Sequence, residues 1–325
     1  MLPDIADIET AAVRLKGFAV RTPVIESPAL NDRTGGRILI KAECLQRTGS
    51  FKFRGAWNCI SRLDPDKHLG GVVAYSSGNH AQGVAAAAQI KGLPALIVMP
   101  ADTPKIKQDN TRGFGAEIVT YDRATQSREE IAAKFVRERR AVLVPPFEHP
   151  DIIAGQGTVG LELAEQAEEL GVTLDDVLVC CSGGGLTAGI ALAMEANSPA
   201  TRVHTVEPAG FDDYARSLKS GRREKNAKAS GSICDALLSV EPGEMTFAIN
   251  RSRLAEGLVV TDAEAAEAVR YAFEVLKLVV EPGGAAALAA VLSGRIATQG
   301  RIFGVIASGG NCDAEMFARI LRREI

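Results

Sequence analysis

The fold is decided by residues 72–90, which read VVAYSSGNHAQGVAAAAQI. The apolar run Val72 to Tyr75 predicts a buried strand, and the alanine-rich run Ala81 to Ile90 predicts a helix. Between them lies a turn of small polar residues. A strand that passes through such a turn directly into a helix is the unit from which parallel sheets covered by helices are built.

The same alternation continues along the chain in two series. The first series contains the predicted elements Ala95–Met99, Lys105–Phe114, Glu117–Tyr121, Arg128–Arg139 and Ala141–Val144. The second contains a helix over Ile153–Leu170 and the strands Asp176–Cys181, Val203–Glu207 and Ile302–Ala307. The proline-rich stretch Pro145 to Pro150 separates the two series and marks a crossing between lobes. We therefore predict an α/β fold with two lobes, each an open, mostly parallel sheet flanked by helices. The large domain is predicted to hold residues 1–62 and 146–325, and the small domain residues 63–145.

Composition and charge exclude several classes of function. The chain has 325 residues, of which 46% are hydrophobic and 24% charged, and its formal net charge is −3. Because no long block of like charge is present, we expect neither a nucleic-acid-binding protein nor a membrane-surface protein. No apolar run reaches membrane-spanning length, and the first residues do not resemble a signal peptide. The six cysteines show no pairing pattern, which is typical of reduced thiols and predicts a cytoplasmic protein.

One lysine stands out because of its neighbours. The run Thr48 to Ala56, TGSFKFRGA, places Lys52 between Phe51 and Phe53. An ammonium flanked by two rings is partly desolvated, which lowers its pKa towards the neutral amine that Schiff-base chemistry with an aldehyde requires. The alternative is an ordinary lysine at a helix start, with its stem on apolar surface and its head in water.

Three predicted strands end in loops rich in serine and glycine, namely Ser76 to His80, Ser182 to Leu186 and Ser308 to Asn311. Ligands of open parallel sheets bind beyond the carboxyl ends of the strands. Successive N–H groups at a helix start, as expected in the second loop, suit a phosphate, and the amides of the first loop suit a carboxylate. Each loop taken alone is also explained as a tight or capped turn.

Together, Lys52 and the three loops describe a site for pyridoxal 5'-phosphate. The lysine would bind the aldehyde, the amides would bind the phosphate, and a hydroxyl would meet the ring. Neither the GK(S/T) pattern nor the GxGxxG spacing occurs in the Ser182 to Leu186 loop or after it. A phosphate ester on a small cofactor therefore fits the loops better than ATP or NAD.

Several stretches resemble one family closely, and these are Thr48–Ala56, Ser76–Gly83, Ile153–Thr158, Ser182–Leu186, Glu281–Gly284 and Ser308–Asn311. They resemble the serine/threonine ammonia-lyase and serine racemase family, whose fold is that of the tryptophan synthase β chain. The resemblance implies that the large domain binds pyridoxal phosphate, that the small domain is mobile and lies on the substrate side, and that the protein is a homodimer. Because the chain ends near the last of these motifs, we expect no C-terminal regulatory domain.

The resemblance also implies a role for each residue of the cofactor site. Lys52 is expected to hold the aldehyde of the cofactor and to remove the α proton of the substrate, with Phe51 behind the ring. Asn79 is expected to contact the 3-oxygen, Ser308 to face the pyridine nitrogen, and Glu281 to lie beside the cofactor. The expected phosphate-binding residues are Ser182, Gly183, Gly184, Gly185 and Leu186.

The implied reaction is the dehydration and deamination of a small β-hydroxy amino acid, L-threonine or L-serine, to a 2-oxo acid and ammonia. The expected substrate-binding residues are Ser76, Ser77, Gly78, Asn79, His80 and Arg128. Ser77 keeps racemisation open as an alternative, because threonine-cleaving relatives usually have alanine there, whereas racemases use serine to reprotonate the opposite face. Arg128 is either an ordinary exposed helix residue or a ligand for the second carboxylate of 3-hydroxyaspartate. A third possibility is a protein that binds the cofactor or an amino acid without turnover.

A cation site is implied by residues 207–213, which read EPAGFDD. They resemble the family's site, in which the carboxylates of Glu207 and Asp213 and the carbonyl of Phe211 are the ligands. All-oxygen ligation indicates Mg²⁺, Mn²⁺ or Ca²⁺. The alternative is a solvated acidic loop after a strand.

Overall fold

The computed structural model describes residues 1–76, 78–103, 105–122 and 125–325. The strands are β1 (Val24–Glu26), β2 (Arg37–Lys41), β3 (Val72–Tyr75), β4 (Ala95–Pro100), β5 (Glu117–Tyr121), β6 (Val142–Leu143), β7 (Asp176–Cys180), β8 (Arg202–Pro208), β9 (Leu254–Val260) and β10 (Ile302–Ile306). The α-helices are α1 (Ile5–Leu15), α2 (Pro28–Thr34), α3 (Lys52–Ile60), α4 (Asn79–Lys91), α5 (Lys105–Gly113), α6 (Arg128–Arg139), α7 (Pro150–Glu169), α8 (Gly185–Asn197), α9 (Asp213–Ser220), α10 (Glu244–Asn250), α11 (Asp262–Tyr271), α12 (Pro282–Leu292) and α13 (Ala314–Leu321).

The strands form two sheets. The larger sheet has the order β1-β2-β10-β7-β8-β9, and the smaller has the order β5-β4-β3-β6. Neighbouring strands are parallel except for β1 and β2, which run antiparallel. The predicted α/β class with two mostly parallel sheets is therefore confirmed. The strands of the smaller sheet lie between residues 72 and 143, inside the segment predicted as the small domain. The division into domains and the mobility of the small one stay predictions.

The segment that decides the fold forms the predicted strand and helix. β3 lies between β4 and β6, and Val72, Val73 and Ala74 are buried. Helix α4 begins at Asn79, two residues earlier than predicted, and residues 80–88 along it are all buried. A helix that is buried all round requires small side chains, and alanine supplies them here.

Helix α7 packs against both α3 and α8 through glycine. A Cβ atom at Gly155 would lie 2.6 Å from Cα of Gly55 in α3, and one at Gly189 in α8 would lie 2.4 Å from the nitrogen of Gly157. These approaches leave no room for a side chain. Since Lys52 begins α3 and the glycine-rich loop precedes α8, α7 holds together two elements that the sequence predicts to be functional.

A cluster of buried charges ties α3 to the larger sheet. The Arg54 guanidinium, which is completely buried, donates to both oxygens of Glu43 at 2.8 Å and to both oxygens of Glu162 at 2.7 and 2.8 Å. Lys41 Nζ donates to Glu162 at 2.6 Å and to Gln166 at 2.9 Å. Two cations and two carboxylates thus balance inside the cluster. Removing Arg54 would leave the buried carboxylate of Glu43 without the cation that it pairs with.

The helices and the cysteines bear on where the protein is located. Among the described residues, no helix combines the length and the apolar character that a membrane span requires. All six cysteines lie in the described part of the chain as free thiols, and five of them are buried. The cytoplasmic location stays a prediction.

Replacing Arg54 by methionine should lower the free energy of unfolding by about 3–5 kcal/mol, because Glu43 and Glu162 would then be buried without their shared partner. The measurement is urea denaturation followed by circular dichroism. The matched control is Arg21→Met. Arg21 pairs with Glu169 at 2.6 Å, but the two side chains are 45% and 61% exposed, so the expected loss is below about 1 kcal/mol. Equal losses in the two variants would contradict the importance given to the cluster.

Candidate active site

The end of β10 lies against the start of α3. The N–H of Phe51 donates to the carbonyl of Ser308 at 3.1 Å. The N–H of Glu281 donates to the carbonyl of Gly309 at 3.0 Å. These main-chain bonds bring Ser308 and Glu281 next to the residue that precedes Lys52.

The Lys52 amine lies in a partly enclosed position at the first residue of α3. Its Nζ donates to the carbonyl of Pro146 at 2.8 Å and lies 5.1 Å from the centre of the Phe51 ring. Desolvation by burial lowers the pKa of Lys52 to about 8. Near that pH half of the amine is neutral and therefore nucleophilic.

The prediction that Phe53 also flanks the amine is wrong. Its ring is completely buried and stacks on Trp57, with 6.3 Å between ring centres. The Arg47 guanidinium also lies near this ring, 5.4 Å from its centre. Successive residues of an α-helix point in directions about 100° apart, so neighbours on both sides of a helical lysine do not face its amine together.

The glycine-rich loop between β7 and α8 is held from behind by α10. The carbonyl of Gly183 accepts a hydrogen bond from Thr246 Oγ1 at 2.6 Å, and the carbonyl of Gly184 accepts one from Asn250 Nδ2 at 3.2 Å. In a planar trans peptide the N–H points opposite to the C=O, so these bonds direct the N–H groups of Gly184 and Gly185 to the other side of the loop. The first turn of α8 adds its own unpaired N–H groups and a partial positive charge. The loop is therefore a preformed site for an anion.

The side chains of the glycine-rich loop do not reach towards an anion, so the loop can bind one only through its main chain. A Cβ atom at Gly183 would lie 2.4 Å from the Phe147 ring, so only glycine fits there. The Ser182 hydroxyl donates to Ser239 Oγ at 2.7 Å, and the Leu186 side chain is buried. What Ser182 and Leu186 offer an anion is their N–H groups.

Asn79 begins α4, and its side-chain amide is bound on both sides. Its Nδ2 donates to Glu281 Oε1 at 2.5 Å, and its Oδ1 accepts from Asn311 Nδ2 at 2.7 Å. Asn311 also donates to the carbonyl of Thr48 at 2.8 Å. An amide nitrogen carries two hydrogens, so Asn79 keeps one N–H for a ligand after its bond to Glu281.

Glu281 and Ser308 are both buried at this point of the fold. Burial, together with the nearby charge of Asp235, raises the pKa of Glu281 to about 7. Ser308 contacts the thiol of Cys180, whose pKa is itself raised by burial. Because the hydroxyl of Ser308 is neutral, it brings no negative charge to a ligand bound beside it.

The turn between β3 and α4 contains most of the predicted substrate residues, although Ser77 lies outside the described residues. Ser76 Oγ accepts the N–H of Gly78 at 3.1 Å, so this N–H is already engaged. The His80 ring is buried, with Nε2 2.9 Å from the carbonyl of Val144. Burial, and after it the positive charge of Lys52, lowers the pKa of His80 to about 3. The ring is therefore a neutral structural contact, and what His80 offers a substrate is its N–H at the helix start.

Arg128 begins α6 and lies next to this turn. Its guanidinium is 5.1 Å from the centre of the Tyr75 ring, and its Nε donates to Glu129 at 2.7 Å. Tyr75 is the last residue of β3, directly before the turn. The side chain of Arg128 is 47% exposed, and the stacking holds it against Tyr75.

Glu207 near the end of β8 and Asp213 at the start of α9 are both buried, and the carboxylate of Glu207 accepts two N–H groups from the first turn of α9, at 2.9 and 2.8 Å. Asp213 Oδ1 accepts from Asn226 at 2.5 Å, while Oδ2 is buried without a hydrogen bond in the described structure. Burial raises the pKa of Asp213 to about 7, and burial together with the charge of Asp213 raises the pKa of Glu207 well above its ordinary value. Phe211, also buried, lies two residues before Asp213. A buried acceptor without a donor, next to a second carboxylate, fits a cation.

Sequence reasoning missed the residues that position the site from behind. These are Phe147, Tyr214, Thr246, Asn250 and Asn311. Thr246 and Asn250 stand in a short helix without a motif, and only the tertiary fold brings them to the loop. Asn311 lies in one of the Ser/Gly-rich loops, and its side-chain amide is the sequence feature that could have identified it as a residue of the site.

The arrangement has a definite chemical capacity. An amine with a pKa near neutrality, main-chain N–H groups for an anion and a buried neutral hydroxyl lie on elements that contact one another. Such a set fits an aldehyde that also carries a phosphate and a heterocyclic ring.

Comparisons with known proteins agree with this description. A family model described as pyridoxal-phosphate dependent enzyme matches residues 15–309. The L-threo-3-hydroxyaspartate ammonia-lyase of Pseudomonas sp is 43% identical over 316 residues, which are 97% of this chain and 98% of that protein. The serine racemase of Arabidopsis thaliana is 40% identical over 315 residues, covering 95% of this chain and 93% of that one. The solved structure of the threonine deaminase from T.th. is 43% identical, with a TM-score of 0.89, and covers 96% of this chain and 99% of that chain.

Replacing Thr246 by valine should weaken the binding of pyridoxal phosphate about tenfold, because the carbonyl of Gly183 would lose the shorter of the two hydrogen bonds that orient the next N–H. Titration of the cofactor-free protein, followed by the absorbance of the bound cofactor, measures this affinity. The matched control is Thr205→Val, the same change at a buried threonine whose hydroxyl has no hydrogen-bond partner in the described structure. A loss of similar size in the control would contradict the role of Thr246.

Proposed function

The chain belongs to the family of pyridoxal-phosphate-dependent enzymes, and from this premise we propose that it removes water and then ammonia from a small β-hydroxy amino acid, leaving a 2-oxo acid. The observation that carries the proposal is the Lys52 amine, whose pKa of about 8 makes it both a nucleophile and a base. Its support comes from relatives at about 40% identity whose names denote ammonia-lyase and deaminase activities.

When bound, pyridoxal phosphate withdraws electrons from the α-carbon of an amino acid attached to it. The N–H groups of Gly184 and Gly185 would hold the phosphate, and the remaining N–H of Asn79 would bind the 3-oxygen. Lys52 Nζ would take the proton from the α-carbon. Ser308 would face the ring nitrogen with a neutral hydroxyl. Because this hydroxyl brings no negative charge, the nitrogen would stay largely unprotonated, which suits loss of a β-hydroxyl.

A second carboxylate on the substrate is favoured by the position of Arg128. Its Nε is bound to Glu129, while the two terminal nitrogens of the guanidinium make no hydrogen bond among the described residues. Those nitrogens form the edge that binds a carboxylate through two hydrogen bonds. Of the hydroxy amino acids considered, 3-hydroxyaspartate is the one that carries this group. We therefore place it beside L-threonine and L-serine as a candidate substrate.

Racemisation is the alternative that the serine racemase relative supports. It requires an acid on the face of the substrate opposite Lys52, and Ser77 is the proposed acid. Because the two reactions share the removal of the α proton, the same site supports both, and product analysis separates them.

Glu207, Asp213 and the carbonyl of Phe211 are proposed to hold Mg²⁺, or Mn²⁺ or Ca²⁺ in its place. The orphaned Oδ2 of Asp213 and the raised pKa values of both carboxyls support this site. The cation would neutralise the two buried carboxylates. This site is connected to the phosphate loop, because Tyr214 in α9 contacts Thr246 at 3.2 Å and Thr246 binds the carbonyl of Gly183.

The central test is a panel of L- and D-serine, L-threonine and the isomers of 3-hydroxyaspartate, assayed for oxo acid and for the opposite enantiomer. We expect oxo acid from at least one L isomer, and none from Lys52→Ala. A protein whose bound cofactor is reduced by borohydride, yet that yields no oxo acid from any substrate, would be a binding protein. Enantiomer formed faster than oxo acid would make racemisation the main activity.

Replacing Arg128 by glutamine should lower kcat/KM for 3-hydroxyaspartate about 10- to 100-fold, because a charge-assisted pair with the second carboxylate is lost. Turnover of L-serine should change less than about threefold. Arg137→Gln, on an exposed position of the same helix, is the control. An equal loss for both substrates would refute a direct contact.

Mg²⁺ should raise the melting temperature, and the increase should grow as the pH rises through about 7, the pKa of Asp213. Because the folded protein holds this proton more tightly than the unfolded chain, the protonated carboxyl stabilises the fold at about pH 4 and below, and this contribution is lost by pH 7. The cation replaces it only where the carboxylate is ionised. Asp213→Asn should abolish the effect and Asp212→Asn should retain it. The experiment is a thermal melt at pH 6 and pH 8.

A further inference from the structure

Three metal-ligating side chains of different chemistry meet where α3 contacts the start of α7. Cys59 lies in α3, His149 precedes the first residue of α7, and Asp151 follows it. One ligand atom from each lies within 4.8 Å of the others. Cys59 is buried, whereas the side chains of His149 and Asp151 are 37% and 23% exposed, so the cluster opens to solvent on their side.

The donor set selects a class of ion different from that of Glu207 and Asp213. A thiolate, an imidazole and a carboxylate favour a borderline-soft transition metal, whereas carboxylates and a carbonyl favour Mg²⁺. Tetrahedral Zn²⁺ has bonds of about 2.0–2.3 Å, which places its ligand atoms about 3.3–3.8 Å apart. Side-chain rotation that draws these atoms together by about 1 Å would complete three ligands and leave the fourth position to water.

We propose that Cys59, His149 and Asp151 form a Zn²⁺ site whose occupation slows the reaction at Lys52. On binding, a Zn–S bond replaces the S–H bond of Cys59, and the proton passes to solvent. No change of oxidation state is involved.

Two existing contacts compete with the ion. Arg62 pairs with the Asp151 carboxylate and therefore holds a ligand. His149 Nδ1 accepts the N–H of Asp151 at 3.2 Å, which caps α7. A metal on Nδ1 takes the lone pair of this bond, and a metal on Nε2 moves the ring proton to Nδ1. Either way the ion and the cap exclude each other.

The cluster is linked to the active site through its neighbours in the chain. The N–H of His149 donates to the carbonyl of Phe147 at 3.0 Å, and Phe147 packs on the glycine-rich loop. Pro146, one residue earlier, accepts from Lys52 Nζ. Cys59 lies two turns after Lys52 on the same side of α3. An ion that breaks the cap and draws Cys59 towards His149 therefore displaces the segment that holds the reactive amine.

The test uses the holoenzyme in excess Mg²⁺, which fills the oxygen site, titrated with Zn²⁺ against a chromogenic chelator. We expect one Zn²⁺ per chain, and Cys59→Ser should weaken its binding at least about 100-fold. Arg62→Gln should strengthen it about tenfold, because the carboxylate of Asp151 is released. A structural role for these residues would not predict effects of opposite sign. Cys312→Ser, at a partly exposed thiol outside the cluster, should bind as the parent does.

Activity supplies the second readout. Zn²⁺ should lower kcat of the parent enzyme and leave kcat of Cys59→Ser unchanged. His149→Asn, which keeps a good helix cap, replaces the cysteine variant if that one does not fold. Zn²⁺ retained by both variants would overturn the site, and Zn²⁺ bound by the parent without loss of kcat would overturn its coupling to Lys52. The binding measurement does not depend on turnover, so it decides the site even if the proposed reaction fails.

Discussion

The position of the reactive amine depends on the buried guanidinium two residues further along α3. Arg54 and Lys52 both lose water on folding, and burial acts to lower the pKa of each. The carboxylates of Glu43 and Glu162 reverse this effect at Arg54, whose pKa is raised, so that side chain stays charged. The Lys52 amine contacts a carbonyl oxygen and an aromatic ring, neither of which offsets the loss of water, and its pKa falls. Helix α3 thus carries Arg54, a permanent cation that fixes the position of the helix, and Lys52, whose amine is partly neutral and therefore nucleophilic.

The anion site shows how a loop without functional side chains is made specific. The carbonyls of Gly183 and Gly184 are bound from behind by α10, so the orientation of the N–H groups is set before any ligand arrives. A site of this kind binds an anion without the cost of reorganising its dipoles. The same helix contacts Tyr214, which follows Asp213 in α9 and donates its N–H to Glu207. A cation there and a phosphate at the loop would consequently stabilise the same set of contacts.

The sequence predicted the two parallel sheets and the loops at the strand ends, because local patterns determine both. The limits of β5 and α6 agree with the prediction. Contacts between distant segments could not be predicted. Thr246 and Asn250 contact the glycine-rich loop only because the tertiary fold packs α10 against it. The His80 ring is buried in the core, where it forms a hydrogen bond with the carbonyl of Val144. Phe53 was misplaced because spacing in the sequence does not give the direction of a side chain on a helix.

The stacking of Arg128 on Tyr75 has a consequence for how such an enzyme changes over time. Residues 146–149 each serve a different neighbour: the Lys52 amine, the glycine-rich loop, the N–H of Met245 and the cap of α7. A substitution in that segment disturbs several contacts together, so selection will conserve residues 146–149. Arg128 stands apart from that network, and its guanidinium contacts the Tyr75 ring and the adjacent carboxylate of Glu129. A substrate contact at Arg128, as proposed above, would let mutation there alter the choice of substrate while the chemistry at Lys52 is preserved.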